Sequence, residues 1–193
     1  MIPENRLSSE PQSSAFAGAR SLSATKLLNY ETGGIGISDS SQGLMVQTWR
    51  GRYIGNNIIL DVPSNPSVSS FIAYSGAAIT EFSFSFDQLM RPVVVLIQYG
   101  NCIVKWYDSS INDYVVIDFG DVITNPRVSL DDKRPAHTTD SDIIFAYLRD
   151  NNLYYRQQRD RFQIEILLRI GVYELFKIGF GINNRFLFEV SLS

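Results

Sequence analysis

The chain has 193 residues, a length that fits one domain, or one domain with an arm. Hydrophobic residues make up 45% and charged residues 19%, so a sizeable core is within reach and wholesale disorder is excluded. With 17 Lys and Arg against 20 Asp and Glu the net charge is -3, which argues against electrostatic capture of nucleic acid, while one His and one Cys exclude disulfide scaffolds and Cys/His zinc sites.

Residues 1–28 stand apart. Ser, Ala, Pro and Gln dominate, and Phe16 is the one aromatic. Such a stretch buries too little apolar surface to offset its own ordering entropy, so it reads as a frayed tail or as an arm that orders against a neighbouring subunit. Pro3, Glu4 and Glu10 leave no apolar core for a signal peptide. No run approaches the ~18 apolar residues of a membrane span. The expected setting is the cytoplasm, or a particle assembled there.

Across residues 29–50, Gly33, Gly34, Gly36 and Gly43 punctuate Tyr30, Ile35, Ile37, Leu44 and Val46. Glycine at this density predicts tight turns, bulges or close backbone approach. No Lys-Ser/Thr follows a glycine pair, so this is not a phosphate loop.

Short strands follow. Residues 53–62 read as a strand or hairpin turning at Gly55-Asn56-Asn57, and 71–74 as another strand, broken at Gly76. Phe82, Phe84 and Phe86 alternate with Ser83, Ser85 and Asp87, predicting an aromatic face inward and a polar face outward. Residues 93–97 are apolar at both parities, so that strand should be covered on both sides. Tyr99-Gly100-Asn101 signals a hairpin, 103–107 the return, 109–113 a second turn and 114–119 a further strand. Residues 143–148, a turn at Asp150-Asn151-Asn152 and 153–158 repeat that order. Residues 162–170 read as a strand with Phe162, Ile164, Ile166, Leu168 and Ile170 on one face. Strands at 175–180 and 186–192, joined by a turn at Asn183-Asn184, close the chain.

Two stretches run parallel, at 80–122 and 124–170, with a partial third at 172–193. Each holds about four short strands in roughly 45 residues, the size of a propeller blade. The predicted fold is therefore all-β: short antiparallel strands in blade-like or sandwich-like sheets over residues 29–193, with an irregular N-terminal arm. Two and a half blades cannot close a ring, so the units form an open pile or sandwich, or another chain completes them.

Few residues suit chemistry. Asp131, Asp132, Asp140 and Asp142 gather on one loop, but Lys133 and Arg134 sit among them and calcium-loop spacing is absent. Solvated acids pairing with Arg127, Arg134 or Arg156 are expected there, and Asp87 or Asp131 should cap loop amides. Tyr154, Tyr155, Arg156, Arg159 and Arg161 form an aromatic-basic cluster. It reads either as a platform for sugar or single-stranded nucleic acid, or as Tyr-Arg packing neutralised by Glu165, Asp150 and Asp160. His137 has no second ligand to join it. Cys102 reads as a small core residue, and Trp49 and Trp106 read as core or interface aromatics. An enzyme is not expected, and neither is a cofactor or metal.

Several runs resemble one group of proteins. Tyr30-Glu31-Thr32-Gly33-Gly34-Ile35-Gly36, then Asp39-Ser40-Ser41-Gln42-Gly43-Leu44, is similar to the start of a group of tail-associated virion proteins of tailed bacteriophages. Phe86-Asp87-Gln88-x-Met90-Arg91-Pro92, Trp106-Tyr107-Asp108-Ser109, Ser129-Leu130-Asp131-Asp132-Lys133-Arg134 and the run from Leu153 through Arg156 to Phe162 add to it. So does Asn184-Arg185-Phe186-x-Phe188. The resemblance spans about residues 28–190 and implies assembly rather than catalysis: a homo-oligomer that joins other tail or neck proteins, located in the tail region of the virion. It makes Tyr154, Tyr155, Arg156, Arg159, Arg161, Asp131, Asp132 and Arg134 interface candidates. A glycan-binding, host-attachment module of the tail is the alternative.

Overall fold

A computed structural model describes residues 32–36, 47–61, 70–87, 91–130, 142–180 and 186–192. Among them the chain is nearly all strand, with no α-helix and one 3-10 turn at Gln158–Asp160. Strands β1 (Thr32–Gly36), β2 (Gln47–Ile54), β3 (Asn57–Asp61) and β4 (Ser70–Ser75) form a first sheet in that order. A second holds β5 (Ile79–Phe86), β6 (Pro92–Gln98), β7 (Asn101–Asp108) and β8 (Asp113–Asp118). The third holds β9 (Thr124–Leu130), β10 (Ile143–Arg149), β11 (Asn152–Gln157) and β12 (Ile166–Arg169). Strands β13 (Tyr173–Phe180) and β14 (Phe186–Leu192) pair separately. All pairings are antiparallel between sequence neighbours.

The hairpins follow from local chemistry. In each four-stranded sheet the middle hairpin turns on two residues at positive φ: Gly55 (57°) and Asn56 (64°), Tyr99 (50°) and Gly100 (86°), Asp150 (50°) and Asn151 (63°). Two left-handed residues in succession match the twist of the strands they join. The turns read from the sequence fall at these places.

The sheets stack face to face. Strand β6 sits at the centre: Val93 and Val95 look one way, Val94 and Leu96 the other, and all four are buried. On one side Val93, Val95, Cys102, Val104 and Trp106 meet Val128, Ile143, Phe145, Tyr147 and Phe162 of the third sheet and its following turn. On the other, Phe82, Phe84, Phe86, Val94 and Leu96 meet Trp49, Ile58, Leu60 and Ala73 of the first. A third cluster of Ala146, Leu148 and Leu153 takes Tyr173 of β13 on the far face of the third sheet. Burial of each large apolar side chain contributes about 1.5–3 kcal/mol, so these clusters hold the layers together. Aromatic contacts tighten them, with Trp49 and Phe86 centroids 5.0 Å apart and Phe145 and Tyr147 4.7 Å apart. Lys105 crosses the first interface, its Nζ donating to the Ala73 carbonyl at 2.7 Å, and burial pulls its pKa down. The first strands of successive sheets lie along one another: β1 against β5, β5 against β9, β9 against β13.

Three sequence expectations change. Ser83, Ser85 and Asp87 do not face solvent; all three are buried. The third sheet covers that face, where the Val128 amide donates to the Ser83 hydroxyl at 3.2 Å and Arg127 pairs with Glu81. Hydroxyls small enough to satisfy a neighbouring amide can be buried where longer polar chains could not. The alternating face of residues 162–170 also fails. Phe162 is buried, but Ile164 is 58% and Ile170 76% exposed. Positive φ at Arg161 (58°) and Phe162 (59°) breaks the extended run, and β12 covers only four residues at the edge of its sheet. The glycine-rich segment, finally, contributes a strand: Gly33 and Gly34 of β1 pair with Arg50 and Trp49. The arm at 1–28 and the turn at Asn183-Asn184 lie outside the described residues.

Tyr99 is the weakest turn residue, being large, 74% exposed and held at φ 50°. A side chain with a Cβ in the left-handed region costs about 1–2 kcal/mol, and Asn bears that cost best. Tyr99→Asn should raise the urea midpoint by the equivalent of about 1 kcal/mol with an unchanged slope; a lowered midpoint would contradict this account of the turn.

Candidate functional site

The aromatic-basic run lies on β11 and the turn after it. Antiparallel pairing sets Tyr154 opposite Tyr147, Tyr155 opposite Ala146 and Arg156 opposite Phe145. Successive strand residues point to opposite faces, so Tyr154 and Arg156 share the inner face and Tyr155 takes the other, beside Tyr173. The three therefore do not form one stacking platform.

Each is engaged within the chain. The Tyr154 ring stacks on Tyr147 at 6.0 Å and 15°, and the Arg149 guanidinium lies 4.5 Å from the Tyr154 centroid. Arg156 is only 14% exposed. Its Nε donates to the Tyr147 hydroxyl (2.8 Å), its Nη1 to the carbonyls of Phe162 (2.8 Å) and Gln163 (3.0 Å), and its Nη2 to Glu165 Oε2 (2.8 Å). Arg149 Nη1 reaches the same carboxylate oxygen at 2.7 Å. The Arg156 guanidinium also lies 4.9 Å from the Phe119 ring centroid. Burial pushes the Tyr147 hydroxyl above its ordinary pKa, leaving a neutral phenol at physiological pH.

Arg159 and Arg161 follow on the 3-10 turn. The Arg159 amide donates to both oxygens of buried Asp142 at 3.0 Å, and its Nε to Oδ2 at 2.8 Å. Arg161 Nη2 lies 2.7 Å from Asp108 Oδ2 at the end of β7. Hydrogen bonds from Ser110 hold the Asp108 carboxyl below its ordinary pKa against burial, and Arg161 adds to that. Gln158 Nε2 donates to the Tyr107 carbonyl at 3.3 Å, so this turn ties the third sheet to the second. The two arginine side chains are 58% and 56% exposed, which makes them the part of the run that meets solvent.

Asp131, Asp132 and Arg134, with His137 and Asp140, lie outside the described residues. Asp87 caps its loop as expected: Oδ1 accepts from the Arg91 amide at 2.9 Å and Oδ2 from Arg91 Nε at 2.6 Å. Among the described residues no group of three or more His, Cys, Asp or Glu is placed to hold a metal ion, and no helix is long and apolar enough to cross a membrane. Cys102 is buried and its thiol is pushed up in pKa, chiefly by desolvation.

One cluster escaped the sequence reading. On the face of the first sheet turned away from the stack, Arg50 and Arg52 converge on Asp61. Arg50 Nε donates to Oδ1 at 3.0 Å and Arg52 Nε to Oδ2 at 2.9 Å, while the Asp61 side chain is fully buried. Its signal was present: a turn centred on Gly55-Asn56 pairs Arg50 with Asp61. Burial alone would raise the Asp61 pKa, but the two guanidinium hydrogen bonds and charges outweigh it and hold the carboxyl below 3.8.

In each of these clusters the charged groups tie strand to strand or turn to strand. No family model, no curated protein and no solved structure matches the chain.

Removing Arg156 leaves Arg149 as the described partner of Glu165 and takes a donor from the Tyr147 phenol and from the carbonyls of Phe162 and Gln163. Arg156→Met should cost about 2–3 kcal/mol in chemical denaturation, whereas Arg149→Met, at the rim, should cost ~1 kcal/mol or less; equal losses would show that Arg156 is not the centre of the network. Because the Asp61 pKa is lowered on folding, its contribution is complete above 3.8 and is lost as pH falls through the lower folded value. The stability gap between the native chain and Asp61→Asn should therefore narrow on acidification, and a gap that is constant with pH would contradict the pairing.

Proposed function

We propose that the chain is a structural component of a tailed-phage virion, associated with the tail, that works by oligomeric assembly and joins tail components. The observation that carries this reading is a division of labour on the surface. Charged clusters are committed to internal ties, while large apolar side chains stand exposed on the fourth strands: Ile72 (57%) on β4, Val116 (57%) on β8 and Leu167 (46%) on β12. A stack of sheets whose charged side chains are paired within the chain, with apolar side chains turned outward, is suited to being covered by neighbours.

The similarity of the runs around Asp87 and Arg156 to phage tail proteins supports the same reading. On it, the protein is not an enzyme, needs no cofactor, and passes from the host cytoplasm into the tail region of the particle. Its partners are further copies of itself and other tail or neck proteins. The alternative, a glycan-binding module for host attachment, has less behind it, because Tyr154 and Arg156 are engaged with Tyr147, Phe162 and Glu165 of the same chain.

Native mass spectrometry of the chain should give a symmetric oligomer, and proteomics of purified particles should find the protein with the tail fraction. A monomer at every concentration, absent from particles, would overturn the proposal. Leu167→Glu should weaken assembly while shifting the melting free energy by no more than about 0.5 kcal/mol.

A further inference from the structure

One charge in the stack lacks the counter-charge that its equivalents have. Strands β3, β7 and β11 leave their turns alike, at Asn57, Asn101 and Asn152, and Asp61, Lys105 and Arg156 take the same place along them. Arg50 and Arg52 meet Asp61, and Glu165 meets Arg156. No carboxylate among the described residues pairs with Lys105. Its Nζ donates to the Ala73 carbonyl at 2.7 Å and lies 5.1 Å from the Tyr114 ring centroid. An ammonium carries three donors, so the seam with the first sheet uses only part of this one.

The surface around that ammonium is open and aromatic. Residues directly opposite in an antiparallel pair share a face, which sets Lys105 beside Val116 and Tyr107 beside Tyr114. Ile103, on the same face of β7, packs under the first sheet, but Tyr114 is 38% and Val116 57% exposed, so the cover stops short of β8. The two tyrosines meet edge to face at 5.3 Å and 83°, and the Arg91 guanidinium, paired with Asp87, lies 4.2 Å from the Tyr107 centroid. Tyr107 donates its hydroxyl to Asn112 Oδ1 at 2.5 Å. Asn112 is exposed on the turn between the strands, and its Nδ2 bonds no described residue. Asp118, the acid on this face of β8, is tied at its far end to Asn101 and the Gly120 amide. A braced ring, bordered by an amide with free donors and by an ammonium without a counter-charge, offers stacking, hydrogen bonding and charge on one small face.

We propose that this face binds an acidic sugar, a uronic-acid unit of a polysaccharide, with its carboxylate at Lys105, the C–H face of its ring on Tyr114 and its hydroxyls toward Asn112. The ligand's negative charge answers the one that the second sheet lacks. A peptide carboxylate would also satisfy Lys105, but a flat ring with a polar border suits a molecule that has an apolar face and a hydroxyl rim. The site is separate from Tyr154 and Arg156, which are engaged within the third sheet. It needs a single copy of the chain and does not depend on the tail reading.

Titrating the full nitrogen-15-labelled chain with trigalacturonic acid at low ionic strength should give saturable amide shifts centred on residues 105–116. Maltotriose, a neutral sugar, and tetraglutamate, an acidic peptide, should bind about tenfold more weakly or not at all. Lys105→Met and Tyr114→Ala should each weaken binding of the acidic sugar about tenfold or more, while Arg169→Gln, at an exposed cation elsewhere, should leave it within about twofold. Urea midpoints measured alongside separate lost binding from lost folding, and the Tyr114→Ala chain, altered at the surface, should keep its fold. No saturable shift, variants that bind as the native chain does, or a peptide that binds more tightly than the sugar, would each overturn the proposal and leave the assembly test as it stands.

Discussion

Strand β6 cannot leave either of its faces to water. Val93, Val94, Val95 and Leu96 are apolar at every position, and a strand alternates its side chains between two sides. Whatever sheet contains this strand must be the middle layer of a stack. That one demand sets the third sheet on the Val93 and Val95 side and the first sheet on the Val94 and Leu96 side. It also accounts for the buried polar face of β5, whose serines lie in register with Val93 and Val95 and share their cover.

Several polar groups trapped by this layering are bonded at the seams. Ser83 accepts the Val128 amide, Arg127 meets Glu81, and Lys105 reaches a carbonyl in the first sheet. Arg156 does the same at larger scale, collecting a phenol, two carbonyls and a carboxylate beneath the turn that leads to β12. Such directional bonds add orientation to a packing that apolar contact alone leaves free to slide.

Much of this was legible in the sequence, and the reasons differ from element to element. Gly55-Asn56, Tyr99-Gly100 and Asp150-Asn151 announce tight turns by residue type, and the unbroken apolar run of β6 announces burial by itself. The four-strand spacing near 45 residues coincides with the second and third sheets. In the first sheet the strands at 53–62 and 71–74 were legible, but β1 was hidden by its glycines, because local propensity weighs against a strand that a long-range partner nonetheless enforces. The polar parity of β5 was misread because alternation cannot say whether a second layer will cover the hydrophilic side. The end of the Tyr154–Arg161 run was misread because Arg161 and Phe162 adopt positive φ without being glycine or asparagine, and no local rule flags them. For the cluster itself, the interpretation in terms of packing and neutralisation fits Tyr154, Arg156 and Glu165. The acids at 131 and 132 had no such resolution.

The single cysteine has a practical corollary. Cys102 sits between Val104 and the turn at Gly100, sealed in the central layer, where desolvation keeps its sulfur protonated and unreactive. A thiol introduced anywhere on the exterior would accordingly be the only one open to maleimides or oxidants, so the native background is already silent for site-specific dyes, spin labels or heavy atoms.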